Sequence, residues 1–93
     1  MSEARRYIVH GRVQGVGFRY YVAGEAQKLG VSGWVRNNLN GTVEAVAAGS
    51  PEQLARFHQS LRQGPRAARV DQVEVFPAEA EGIGARFRIE GSW

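Results

Sequence analysis

The run Gly11-Arg12-Val13-Gln14-Gly15-Val16-Gly17-Phe18-Arg19 is the part of this sequence best suited to chemistry. A strand-like stretch precedes it and a helix-like stretch follows, so Gly15 and Gly17 stand where a strand hands over to a helix. Successive backbone N–H groups in such a glycine turn can converge on one point and form an anion nest. The helix start adds further N–H groups and the positive end of its dipole. Arg19, at or near the first helical turn, can lay its planar fork over the same anion. Glycines alone serve a tight strand-to-helix turn equally well; the placement of Arg19 favours the anion site.

Other glycine-loop chemistries do not fit. A dinucleotide fingerprint needs a third glycine where Tyr20 stands, and a P-loop needs a Gly-Lys-Ser/Thr that does not follow. In cysteine phosphatases the nucleophile precedes the cradle arginine by six residues; that position is Val13, and the chain has no cysteine. Disulfides, thiolate nucleophiles and thiolate metal sites are thereby excluded. His10 and His58 lie far apart and without carboxylates at zinc-like spacing, so neither a metal nor another cofactor is expected. A phosphate cradle without a protein nucleophile points to direct attack by water.

A second candidate is Asn37, at the end of a strand-like run. It shares a strand face with Val35 and Gly33, whereas Asn38 alternates to the other face. Which sheet face that is stays open from sequence. Asn40, next to Gly41, reads as a turn residue.

The elements that must position these residues follow from periodicity. Residues 7–13 alternate and are rich in β-branched and aromatic side chains, which predicts a strand. Phe18, Val22, Ala26 and Leu29 recur as one helical stripe that ends at Gly30. Strands are predicted at 31–37 and 42–47, joined by a hairpin at Asn40-Gly41. Ser50-Pro51-Glu52-Gln53 is a capping box opening a second helix, whose stripe is Leu54, Phe57 and Leu61 and whose stop is Gly64-Pro65. Further strands are predicted at 70–76 and 85–89, the last one short. Each helix has one apolar stripe, so both are expected on one face of the sheet. The order predicts an α+β sandwich, ferredoxin-like βαββαβ, with an antiparallel sheet and a short extra C-terminal strand.

Composition sets the outer limits. The 93 residues, 43% apolar and 23% charged, are expected to form one globular domain over residues 1–93. No window approaches the roughly 20 apolar residues of a membrane span, and residues 1–6 open no signal-peptide stretch, so a cytoplasmic monomer is expected. The charge of +3 suits an anionic small substrate or weak nucleic-acid binding. An RNA-binding aromatic motif is absent from every strand, which argues against nucleic acid. His10 reads as a surface or hydrogen-bonded histidine rather than a catalyst, and Tyr20, Tyr21 and Trp34 read as packing or rim residues.

The two motifs together resemble the acylphosphatase family. Gly11 to Arg19 matches its first motif, and Gly33-Trp34-Val35-Arg36-Asn37 with Gly41-Thr42-Val43 and Gly49 matches its second. The resemblance covers nearly the whole chain. It implies that Arg19 binds the substrate phosphate, that Asn37 orients the attacking water, and that the backbone of Gln14, Gly15, Val16, Gly17 and Phe18 forms the phosphate cradle. It implies hydrolysis of small acyl phosphates to a carboxylate and inorganic phosphate, without metal or covalent intermediate, on a ferredoxin-like fold. The chain departs from the family at Val22, where many members carry threonine, and in the tail Ile89 to Trp93, which lacks the usual closing tyrosine. The rival classes are a non-catalytic anion-binding or regulatory domain and a nucleic-acid-binding module of the same fold.

Overall fold

Tyr7 and Val9 alternate with Ile8 and His10, and a strand of that pattern has one face to bury. In the computed structural model, which describes residues 2–91, it does so against two helices. The elements are β1 (Glu3–Arg12), α1 (Phe18–Leu29), β2 (Ser32–Asn37), β3 (Val43–Gly49), α2 (Pro51–Gln63), β4 (Arg69–Ala78) and β5 (Phe87–Ile89). Phe18, Val22 and Ala26 of α1 and Leu54, Phe57 and Leu61 of α2 are buried against Tyr7, Val9, Val35, Val43, Ala45 and Ala47 of the sheet. Both expected stripes therefore lie on the same face. Burial of each large side chain contributes about 1.5–3 kcal/mol.

The strand order is β4-β1-β3-β2-β5. β1 pairs antiparallel with β3 and with β4, and β3 pairs antiparallel with β2. The expected all-antiparallel sheet is corrected at one edge, where β5 runs parallel to β2. After β4 the chain must cross from one edge of the sheet to the other, and it does so over the face away from the helices. Ile83 of this crossing packs with Ala4, Val46 and Ala48, so β3 is buried on both faces. A chain that crosses from β4, which runs opposite to β1, arrives beside β2 running with it. Sequence periodicity carries no record of that crossing.

Several strands exceed their expected bounds. β1 begins at Glu3 because its polar first residues pair with Gly49 to Val46 of β3 and with Ala78 to Phe76 of β4. β4 includes Pro77, which an edge strand tolerates because the missing N–H faces outward. Ser92 and Trp93, part of the atypical tail, lie outside the described residues.

Candidate active site

The loop between β1 and α1 is slung between two buried anchors. Val13 and Phe18 are each 1% exposed, and between them stand only Gln14, Gly15, Val16 and Gly17. Gly15 has φ 73° and Gly17 φ 75°, whereas Val16 has a negative φ. A Cβ at either glycine would meet nothing within 4 Å, so the positive φ, not crowding, calls for glycine. Glycines of positive φ on either side of a residue of negative φ suit a turn whose consecutive N–H groups converge.

Gly17 is also the N-cap of α1, and no side chain caps that helix. The first intrahelical bond runs from the Tyr21 N–H to the Gly17 carbonyl, 3.1 Å. The earlier N–H groups of the helix have no intrahelical acceptor, and the first turn carries no acidic residue. Arg19 sits in that turn, half-buried, without an ion pair among the described residues. A cationic fork, a glycine turn and an open helix start thus share one short segment, an arrangement suited to a tetrahedral oxyanion.

Asn37 is the last residue of β2, on the helix-facing side with Val35, and only 6% exposed. The face left open by sequence is therefore the core face. Asn37 pairs with Val43 across the β2–β3 ladder, and the chain then turns through residues 38–42. The turn is closed by the Asn38 N–H donating to the Thr42 carbonyl at 2.9 Å. Asn40 Oδ1 accepts from the Thr42 N–H (3.1 Å) and the Thr42 hydroxyl (2.6 Å), the local bonding expected of a turn asparagine. Asn38 lies past the end of β2, and its Nδ2 donates to Thr42 Oγ1 at 3.0 Å.

The resemblance gives Gln14 a backbone role only, whereas its side chain also takes part. Gln14 Nε2 donates to the Asn38 carbonyl (2.7 Å) and to the Thr42 carbonyl (2.9 Å), which ties the β1–α1 loop to the turn beyond Asn37. The one sequence signal was a long amide set among residues with no polar side chain. Thr42, 7% exposed, was missed for a similar reason: its hydroxyl serves the turn, not the solvent.

The remaining candidates fall elsewhere. His10 meets Glu74 at 2.6 Å on the sheet face away from the helices. Tyr21 packs on Phe18 and donates its hydroxyl to the Ser60 carbonyl, 2.9 Å, joining the two helices. Tyr20 is 72% exposed, and Trp34 lies under the Arg36 guanidinium on the far face. Among the described residues no group of three or more His, Asp or Glu side chains is gathered that could hold a metal ion.

Residues 5–89 match the acylphosphatase family. The chain is 52% identical to an acylphosphatase of Koribacter versatilis over 99% of this chain and 84% of that one. It is 49% identical to an acylphosphatase of Thermococcus kodakarensis over 98% of this chain and all of that one. The crystal structure of acylphosphatase from Bacillus subtilis superposes with a TM-score of 0.91 at 38% identity, covering 98% of this chain and all of that chain. With the β1–α1 loop and Asn37 at one end of the sheet and the match spanning nearly the full length, this chain belongs to the acylphosphatase family.

Proposed function

We propose that acylphosphatase activity in this chain is carried by Arg19, Asn37 and the backbone of Gln14 to Phe18, acting on small acyl phosphates by direct in-line attack of water. The observation that supports this most is the bonding of the Gln14 side chain to the turn beyond Asn37, which joins the anion nest to the one buried asparagine at the same end of the sheet.

The chemistry suits so sparse a site. The leaving group is a carboxylate whose conjugate acid has a pKa of about 4, so it departs without a general acid. What remains is positioning and charge stabilisation of the phosphoryl group as it passes to water. The nest N–H groups and the Arg19 fork hold the phosphate oxygens. The Asn37 amide, which does not ionise near neutral pH, holds the water in line, and a phosphate oxygen takes the proton. The products are a carboxylate and inorganic phosphate, which keeps the group that the cradle binds.

The test is a continuous assay of benzoyl phosphate hydrolysis with and without a strong chelator. Turnover is expected to survive chelation, and inorganic phosphate is expected to compete with substrate. A chelator-sensitive enzyme restored by one divalent ion would contradict the proposed site. A monomer in the cytoplasm completes the proposal, and elution from a sizing column at the mass of one chain checks the first part.

A further inference from the structure

We propose that the Gln14 side chain is a positioning residue that fixes the phosphate cradle relative to Asn37. This rests on the roles just given to the cradle and to Asn37.

The sheet itself does not hold those two parts together. β3 lies between β1 and β2 in the strand order, and the β1–β3 ladder ends at the pair Val9–Val43. The β2–β3 ladder ends at the same Val43, paired with Asn37. Beyond Val43, therefore, the end of β1, paired there with β4 alone, and the loop that follows stand on one side of a gap in the sheet, and the 38–42 turn stands on the other. Strands two positions apart are about 10 Å from each other, too far for backbone bonding. A side chain must close the gap, and between Val13 and Arg19 the sequence offers only Gln14 with any hydrogen-bonding side chain.

Gln14 uses both protons of its amide nitrogen, one on the Asn38 carbonyl at 2.7 Å and one on the Thr42 carbonyl at 2.9 Å. These are the two residues that close the turn, since Thr42 also accepts from the Asn38 N–H. The residue next to Asn37 is thus held at its N–H by Thr42 and at its carbonyl by Gln14, while the ladder pair with Val43 holds Asn37 itself. The peptide planes on the C-terminal side of Asn37 are fixed with respect to the loop that carries the nest. Two carbonyl acceptors require a group with two donors and no negative charge. A carboxylate would face both carbonyls with like partial charge, and an asparagine would fall one methylene short.

The experiment uses Gln14→Met, which keeps most of the volume and removes both donors, and Gln14→Glu, measured as kcat on benzoyl phosphate and as inhibition by inorganic phosphate. Misplacement of a reacting group by an ångström costs about 10²-fold, and a fall in kcat of roughly 10- to 100-fold is expected. Phosphate inhibition should weaken far less than kcat, because the N–H groups of the cradle and the Arg19 fork remain when the Gln14 amide is removed. In an Asn37→Ala background, Gln14→Met should add little further loss, since residues acting as one unit are not additive. Gln14→Glu should regain turnover towards acidic pH, where its protonated carboxyl can donate to one carbonyl; this readout also serves if Gln14→Met does not fold. Parent kcat in Gln14→Met beside a crippled Asn37→Ala overturns this inference alone. So does a loss that multiplies with that of Asn37→Ala, or a phosphate affinity that falls in step with kcat. Parent turnover in Asn37→Ala removes the role of Asn37, and this inference with it.

Discussion

The two helices of this protein begin in opposite ways. α2 opens with Ser50, whose side chain accepts from the Gln53 N–H at 3.1 Å, while Gln53 Oε1 accepts from the Ser50 N–H at 2.8 Å. Pro51 removes one further donor, and Glu52 places a negative charge in the first turn. That start is satisfied by its own residues. α1 opens with Gly17 in left-handed backbone, with no capping side chain and no acid in its first turn. The same sequence that seals one helix start leaves the other open, and the open one follows the nest and carries Arg19. An acid or a capping hydroxyl there would compete with a substrate phosphate for the same N–H groups. The contrast separates a helix start that serves stability from one left free of capping groups, where the proposed phosphate site lies.

The largest effects should come from the open end. Arg19→Lys keeps the charge and loses the planar fork, so both turnover and phosphate inhibition should fall steeply. Asn37→Ala should instead split the two. Loss of one preorganised polar contact costs about 10² to 10³ in rate, and kcat should drop by that order while phosphate inhibition persists. Steady-state kinetics on both variants, with inorganic phosphate as inhibitor, decides the matter. Equal losses of turnover and phosphate affinity in Asn37→Ala would mean that the asparagine holds the phosphate rather than the water.

Gly17→Ala comes next. A residue with a Cβ in left-handed backbone costs roughly 1–2 kcal/mol, and no crowding adds to that. The parent should be stabilised by phosphate, by about 2.7 kcal/mol at a concentration 100 times its Kd. In Gly17→Ala the melting temperature should fall and the phosphate-induced rise should shrink, because the nest is lost with the backbone conformation. Ser50→Ala is the counterpart at the sealed end. It should cost about 1 kcal/mol, lower the melting temperature equally with and without phosphate, and leave kcat unchanged. Thermal melts of both variants across a phosphate series would break the comparison if Ser50→Ala altered the phosphate response.

Much of this division could be read from the sequence, and the reason is locality. The Ser50 box, the Phe18 stripe, the Gly30 stop and the Gly15–Gly17 turn are each made by residues within a few positions of one another. Parts that rest on distant pairings were not legible. The parallel direction of β5 depends on how the 79–86 segment crosses the sheet, with Ile83 packed between strands. The Gln14 bridge spans 24 and 28 residues to its acceptors. Asn37 was placed on the correct strand face relative to Val35, but alternation gave only a relative face. The buried stripe of both helices was needed to make it the core face. The hydrogen bonds of Asn38 belong to the turn, since β2 ends one residue earlier.

The smallest effect concerns pH, and it again separates the two helices. His58 of α2 packs against the Tyr7 ring with centroids 5.8 Å apart. Burial, then Arg62 on the same helix and Arg5 on β1, hold its pKa below the ordinary value of 6.5. The unfolded chain takes up a proton as pH falls through that ordinary value, while the native protein resists it. The unfolded state then binds more protons, so stability is fully present above about pH 6.5 and declines as pH falls towards the native pKa. Tyr7 does not contribute to the effect, since burial raises its pKa and keeps it neutral throughout. His58→Gln should therefore narrow the drop in melting temperature between about pH 7.5 and about pH 5.5. Its kcat on benzoyl phosphate should stay at the parent value, because His58 stands on the helix whose own start is sealed and no part of the cradle touches it. If His58→Gln changed the pH profile of turnover and left the pH dependence of melting intact, α2 would have a share in catalysis, and the division between the two helices would fail.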